Sequence, residues 1–397
     1  MSKTEPGGSA DFETLAVHGP EDCGPYPYGA VTPPIVHSST FRFGSVEAMN
    51  SKTSDPNGIY YSRRNNPTGQ DAERRLAALE RCAGAALFAS GMAAIASTVL
   101  SRVRAGDHVV VFKDIYGGAV GFFTNVLPRY GVTVSWVDTG DFDALEAAIG
   151  PATRVVYFES PTNPMLKIVD LERMGEIASR HGVSLIFDNT FATPYLQRPL
   201  EWGVNGCVYS ATKYLCGHSD LIMGAATGGA EWMAAVHDTR YVLGGVTDPH
   251  SAWLFSRSLT TLGPRMERHC DNAERIAEFL AGHPAVERVH FPGLAVPGQR
   301  RLAEKQMKRF GGMLSFELKG GGEAADRAVE RFRYIGLGAS LGGVESLVAQ
   351  PRYATHRRMA RDQREALGIG EGMLRLSVGL ESADDLIADL RQAMGPA

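Results

Sequence analysis

The 397-residue sequence predicts an α/β protein with a mostly parallel sheet covered by helices on both faces, followed by a smaller α+β unit. Between about residues 83 and 230, short runs rich in β-branched and aromatic residues alternate with helical segments, as βαβ units do. After about residue 260, strands and helices still alternate, with a one-sided apolar pattern. Ahead of both lies a stretch rich in Gly, Pro, Ser and Asn with little periodicity. The expected organisation is an amino-terminal irregular arm over 1–70, a large α/β domain over 71–260 and a carboxyl-terminal α+β domain over 261–397.

Irregular chain as long as 1–70 is uncommon inside a compact domain unless it is functional or lies on another subunit. It contains Tyr61-Ser62-Arg63, with Arg63 on an extended segment suited to gripping phosphate, beside the turn signal Asn65-Asn66-Pro67. Residues Asp71 to Cys82 read as an amphipathic helix with Leu76 and Leu79 on one face. The strands of the large domain are expected at Ala86–Phe88, His108–Phe112, Thr133–Val137, Arg154–Phe158, Ser184–Phe187 and Cys207–Tyr209. A long helix is expected from Pro249 to Leu280, interrupted at Gly263-Pro264. In the carboxyl-terminal domain, strands are expected at Val286–Phe291, Met313–Leu318 and Leu374–Val378, and a helix at Ala383–Met394.

Composition excludes several classes. Hydrophobic residues make up 44% and charged residues 21%, as in ordinary globular chains. A net charge of -4 gives no polyelectrolyte signature, so neither nucleic acid nor an anionic membrane is expected as a partner. No apolar run is long enough to span a bilayer, and Met1 to Gly8 lacks the apolar region of a secretory signal. The five cysteines, Cys23, Cys82, Cys207, Cys216 and Cys270, are odd in number and have no CxxC spacing. That argues against a disulfide framework or a metal site and fits a reducing cytoplasm.

The chemistry concentrates where strands end. Ser210-Ala211-Thr212-Lys213-Tyr214 places two hydroxyls and an amine within four positions just after a strand. Asp188-Asn189-Thr190 leaves a carboxylate at the carboxyl end of the preceding strand, where open α/β sheets bind ligands. A Schiff-base lysine working with an acid that keeps a ring nitrogen protonated describes pyridoxal phosphate. Singly, Lys213 reads as a solvated residue and Asp188 as a turn former, so the case rests on the other parts. Ser90-Gly91-Met92 opens a helix whose free N–H groups receive phosphate. Tyr116-Gly117-Gly118 follows a strand and either lays a ring over a planar cofactor or is an ordinary turn tyrosine. Glu159-Ser160-Pro161-Thr162-Asn163-Pro164 places an amide donor in a rigid turn. Arg375, flanked by Leu374 and Leu376, either points to solvent or binds an anion in a cleft.

Together with Gly217-His218-Ser219-Asp220, Ser340-Leu341-Gly342-Gly343, Glu345-Ser346-Leu347 and Arg375 to Glu381, these motifs resemble the Cys/Met-metabolism family of pyridoxal-phosphate enzymes over about residues 30–395. This trans-sulfuration group includes the cystathionine synthases and lyases, methionine γ-lyase and the homoserine-ester sulfhydrylases. The resemblance implies the aminotransferase-like fold, type I, and pyridoxal 5'-phosphate as cofactor. It implies Lys213 as the Schiff-base lysine and proton shuttle, Asp188 as partner of the ring nitrogen, and Tyr116 as the stacking ring and acid for the departing thiolate. Asn163 would donate to the ring phenolate. Ser90, Gly91, Met92, Thr190, Ser210 and Thr212 would complete the cofactor site, joined by Tyr61 and Arg63 from a neighbouring subunit. Arg375 would take the carboxylate of an amino-acid substrate, with Ser340, Asn163 and Tyr61 nearby. A homotetramer, built as a dimer of dimers with shared active sites, is implied as well.

The branch is read from a few positions. Relatives that handle cystathionine by γ chemistry commonly carry acids where this chain has Tyr60 and Ala339. Methionine γ-lyases typically carry Cys and Gly where it has Gly118 and Ser219, which argues against the specialised methionine enzyme. Pro351, Thr355-His356 and the Arg375 segment resemble the γ branch. The expected activity is a carbon-sulfur lyase performing α,γ-elimination on a sulfur amino acid of the cystathionine, homocysteine or methionine type. The alternatives are γ-replacement on an O-acylhomoserine, a cystathionine β-lyase, or a non-catalytic cofactor-binding module.

Overall fold

A computed structural model describes residues 10–20, 25–354, 357 and 360–395. The larger sheet has seven strands: β1 (Gly84–Phe88), β2 (His108–Phe112), β3 (Thr133–Val137), β4 (Thr153–Glu159), β5 (Ser184–Asp188), β6 (Gly206–Tyr209) and β7 (Gly224–Gly228). Their order is β1-β7-β6-β5-β4-β2-β3. Neighbours from β6 to β3 are parallel, and β7 runs antiparallel to both β6 and β1. Leu87, Val110, Phe112, Val156, Phe158, Leu185 and Phe187 pack on one face. Ala86, Phe88, Val109, Val111, Val155, Tyr157 and Ile186 pack on the other, which is why these strands read as continuous apolar runs.

β7 was not among the expected strands, because Gly-Ala-Ala-Thr-Gly has little strand propensity. Packing explains its composition. A Cβ on Gly224 would lie 2.1 Å from the Ser90 carbonyl, so the strand is built from residues small enough to admit the loop after β1.

The second sheet has five strands: β8 (Val286–His290), β9 (Met313–Leu318), β10 (Gly336–Leu337), β11 (Leu347–Ala349) and β12 (Met373–Ser377). Their order is β10-β11-β12-β9-β8. The short strands β10 and β11 are additions to the three expected, and both are too brief to show a period in sequence.

Three helical boundaries differ from expectation. The helix expected at 71–82 spans Pro67–Leu79: the Asn66 side chain accepts from the Thr68 amide, and Pro67 occupies the first turn, where no amide is needed. The helix from 249 breaks at Thr260-Thr261 into Pro249–Leu259 and Leu262–Ala281, and Gly263-Pro264 lie in the opening turn of the second piece. The amino-terminal arm is less irregular than expected and contains helices at Phe12–His18 and Val46–Ser54. Thr355 and His356, like Cys23, lie outside the described residues.

Candidate active site

The carboxyl ends of β1, β4, β5 and β6 open on a cavity of about 920 Å³ whose far wall comes from the second sheet and its loops. Of the residues singled out in sequence, Ser90, Gly91, Met92, Tyr116, Asn163, Asp188, Thr190, Ser210, Thr212, Lys213, Ser340 and Arg375 all line it. Tyr61 and Arg63 do not. The Arg63 guanidinium lies 4.7 Å from the Tyr241 ring centroid and donates to the Tyr241 carbonyl at 3.4 Å, while Tyr61 is 40% exposed.

Each site residue is fixed by local structure. Ser90 caps the helix Gly91–Leu100 by accepting from the Ala93 amide at 3.1 Å, and the first-turn amides of Gly91 and Met92 have no acceptor within the helix. A Cβ on Gly91 would come within 2.9 Å of Ser210 Cβ, so a bare backbone is what allows the loop after β1 to meet the loop after β6. Asp188 ends β5 and accepts from both the amide and the hydroxyl of Thr190, at 3.0 and 2.5 Å. The same Thr190 hydroxyl accepts from the Ser210 amide at 2.8 Å, tying β5 to the lysine segment. Burial pushes the Asp188 carboxyl upward, and the hydrogen bonds from Thr190 oppose that rise.

Lys213 donates to Ser340 Oγ at 2.6 Å, and the Ser340 carbonyl accepts from Arg375 Nη2 at 3.0 Å. Ser340 holds this bridging position with φ of 89°, a left-handed backbone disfavoured for a non-glycine residue. Two residues on, Gly342 passes so close to the lysine segment that a Cβ would sit 2.7 Å from the Tyr214 amide. Burial, followed by the nearby Arg375 charge, lowers Lys213 to about 8. Arg375, central in β12 and 4% exposed, donates from Nη1 to Asn163 Oδ1 at 3.2 Å and is lowered by burial to about 10. The choice left open in sequence between solvent and a cleft is decided: the guanidinium is buried against the cavity.

Ion pairs are missing where chemistry needs free charges. Among the described residues, Lys213 and Arg375 form no salt bridge with a carboxylate, and Asp188 forms none with a cation. A buried acid, a buried guanidinium and a depressed amine left unpaired around one cavity require charges from bound molecules. A cofactor with a protonatable ring, an aldehyde and a phosphate satisfies Asp188, Lys213 and the amides of Gly91 and Met92, so the residues present fit pyridoxal phosphate. Among the described residues, no cluster of three or more His, Cys, Asp or Glu side chains is arranged to hold a metal.

Sequence reasoning left several polar cavity residues without a role: Asp326, Glu330, Gln350 and Arg357 on the side of the second sheet, and Glu159 at the cofactor end. Glu159 sits inside the quoted Glu-Ser-Pro-Thr-Asn-Pro motif, and the motif itself gave no hint of its contacts. It also missed the apolar wall of Phe191, Ile222, Leu337 and Tyr353, because these residues come from separated segments.

An α/β enzyme with a lysine, an acid and phosphate-binding turns at the carboxyl edge of its sheet is a pyridoxal-phosphate enzyme by fold and site. The chain belongs to the Cys/Met metabolism PLP-dependent enzyme family, whose profile it matches over residues 13–395. It is 43% identical to an L-methionine gamma-lyase of Pseudomonas putida over 96% of this chain and 97% of the relative. It is 42% identical to a cystathionine gamma-lyase of Bacillus subtilis over 96% of this chain and 98% of the relative. Among solved structures, the cystathionine gamma synthase of Xanthomonas oryzae pv. oryzae, in complex with aminoacrylate and cysteine, superposes with a TM-score of 0.91 at 40% identity. That match covers 97% of this chain and 98% of the other.

Proposed function

We propose that this protein is a carbon-sulfur lyase that carries out α,γ-elimination on a sulfur amino acid of the cystathionine, homocysteine or methionine type. The observation that carries the reading is Arg375: a buried guanidinium without a carboxylate partner among the described residues, linked through Ser340 to the free amine of Lys213. A site that binds only a cofactor has no use for it. Kinship with a methionine gamma-lyase and a cystathionine gamma-lyase at similar identity keeps both the methionine and the cystathionine type within the substrate class.

Pyridoxal phosphate, when bound, supplies the electron sink that accepts the pair left behind when a proton leaves the substrate. The chain's residues do the rest. The amides of Gly91 and Met92 and the hydroxyl of Ser210 hold phosphate, with Ser90 and Thr190 fixing the turns around them. The Thr212 hydroxyl donates to the Met223 carbonyl at 3.2 Å and accepts the Met223 amide at 2.9 Å, so it joins them by turning its proton from that carbonyl. Asp188 keeps a proton on the ring nitrogen. Asn163 Oδ1 is committed to Arg375, which leaves its Nδ2 to donate to the ring oxygen. Arg375 grips the substrate carboxylate and thereby presents Cα to Lys213. Lys213, depressed to about 8, is neutral often enough near pH 7 to 8 to take the proton from Cα; acting as a shuttle, it would give that proton up on the cofactor side of the cavity and, neutral again, take the second from Cβ. Tyr116, half exposed at the cavity wall, gives a proton to the departing sulfur.

The test is the visible spectrum of the purified protein, followed by addition of L-methionine, L-homocysteine, L-cystathionine or an O-acylhomoserine. Release of 2-oxobutyrate establishes the γ-lyase. Pyruvate moves the protein to the β branch, thioether formation with an added thiol makes it a synthase, and a colourless protein that cannot be reconstituted overturns the reading of Lys213.

We further infer a cytoplasmic homotetramer, a dimer of dimers in which arm 1–70 delivers Tyr61 and Arg63 to a neighbouring subunit's phosphate. Their position away from this chain's own cavity supports that reading. Mixing inactive Lys213→Ala and Arg63→Ala proteins under subunit exchange should recover about a quarter of the activity of wild-type sites. No recovery would place Arg63 in its own subunit's site.

A further inference from the structure

Glu159 is the one cavity-lining carboxylate at the cofactor end to which nothing above gives a task. It closes β4 directly beside Asp188, its register partner on β5. Its side chain is buried, with 6% exposure for the residue, so two carboxyl groups stand side by side at the carboxyl edge of the sheet. Such a placement is unfavourable unless the second acid makes specific bonds. It does. Oε2 accepts the Tyr116 amide at 2.9 Å and Oε1 accepts the Asn163 amide at 3.0 Å.

These two amides belong to different turns. Tyr116 lies in the turn after β2 and Asn163 in the turn after β4, 47 positions apart in sequence and both on the cavity wall. Asn163 in turn accepts from Arg375, so one carboxyl group reaches the proposed acid directly and the carboxylate clamp through a single intervening side chain. Arg375 is also within electrostatic reach of Glu159. Burial and the neighbouring Asp188 push the Glu159 carboxyl well above the usual carboxylate range, and the two amide bonds oppose that rise, so Glu159 serves these turns as a hydrogen-bond acceptor and not as a fixed counter-charge. Other ionisable groups that bear on Glu159 are Asp188 and Asp114.

We propose that Glu159 is a positioning residue: by holding the Tyr116 and Asn163 turns at a fixed separation it aims the tyrosine at the substrate's leaving sulfur and sets Arg375 for the substrate carboxylate. This rests on the lyase reading given above. Only a side chain with two acceptor oxygens at glutamate length serves both turns. Glutamine keeps the shape but turns an NH2 toward one of the two amides, and aspartate withdraws both oxygens by one methylene.

The experiment uses Glu159→Gln and Glu159→Asp holoenzymes with three ligands. L-Methionine loses a basic thiolate that needs a proton, whereas S-phenyl-L-homocysteine loses a thiophenolate that leaves without one. L-Norleucine has no leaving group and reports carboxylate binding through the visible band, without turnover. Both variants should lose about tenfold or more in kcat with methionine and at least several-fold less with the phenyl substrate, as expected when an acid is misaimed. Norleucine Kd should rise about tenfold, the effect of weakening one bond to a charged group. Equal losses on both substrates, or an unchanged norleucine Kd, would overturn the proposal, as would failure of both variants to fold, which would assign Glu159 to stability alone. Wild-type enzyme that releases no 2-oxobutyrate from methionine, homocysteine or cystathionine would sink the lyase reading instead, and the norleucine measurement would still decide the positioning of Arg375.

Discussion

Replacing Arg375 with leucine separates the function of this site from its stability. The guanidinium is buried and unpaired with any described carboxylate, a state that costs several kcal/mol in a protein interior. Its removal relieves that cost but leaves Asn163 Oδ1 and the Ser340 carbonyl each without a donor, at about 1–3 kcal/mol apiece. The two effects oppose, so the net change in folding free energy should be no more than ~2 kcal/mol. Function should fare differently. Two charge-assisted hydrogen bonds to a carboxylate are worth about 3–5 kcal/mol together, or roughly two to three and a half orders of magnitude in kcat/KM. The assay compares L-methionine with L-methioninamide, followed by 2-oxobutyrate release or its amide equivalent, alongside urea unfolding. Wild-type enzyme should prefer the acid strongly, and Arg375→Leu should treat acid and amide alike. A variant that keeps the preference, or loses acid and amide turnover by the same factor, would refute the carboxylate role and the reasoning from an unpaired buried charge.

The remaining predictions concern the cofactor end of the cavity. Because burial and then Arg375 hold Lys213 near about 8 instead of 10.5, the apoenzyme should react with pyridoxal at a rate that rises with pH and levels off above about 8. The plateau should move upward in Arg375→Leu, and a rate still climbing at pH 10 in wild type would contradict the assignment. Gly91→Ala should weaken pyridoxal-phosphate binding by about tenfold or more in equilibrium dialysis, because its Cβ meets Ser210 at 2.9 Å and separates the two turns that hold phosphate. The apoprotein should remain folded by circular dichroism, since this contact lies between turns at the cavity wall.

How far the sequence went can be followed through individual residues. The parallel strands were legible because burial on both faces demands runs such as Val109-Val110-Val111, which nothing else in a globular chain explains. β7 was illegible because its composition answers to the Ser90 loop packed against it, a neighbour 134 positions away in sequence. The helix at 67 was misplaced by four residues because Asn66-Pro67 reads equally as a turn and as a cap. In the site, Lys213, Asp188 and Asn163 declared themselves through residue type and position after strands. Arg375 declared only that it was out of place.

The sequence by itself determined the fold class and the cofactor and pointed to residues that line the cavity, since each motif is local and many of them occur together in order, although each residue type taken singly has an ordinary use. Only the tertiary structure decided that Arg375 faces the cavity, that Ser340 joins it to Lys213 through one oxygen for each, and that Glu159 binds two turns at once. Those relations connect β12 to the loop after β6 and β2 to β4. A contact between segments so far apart depends on how two sheets close over a shared cavity, and no period or motif in a linear chain encodes that distance.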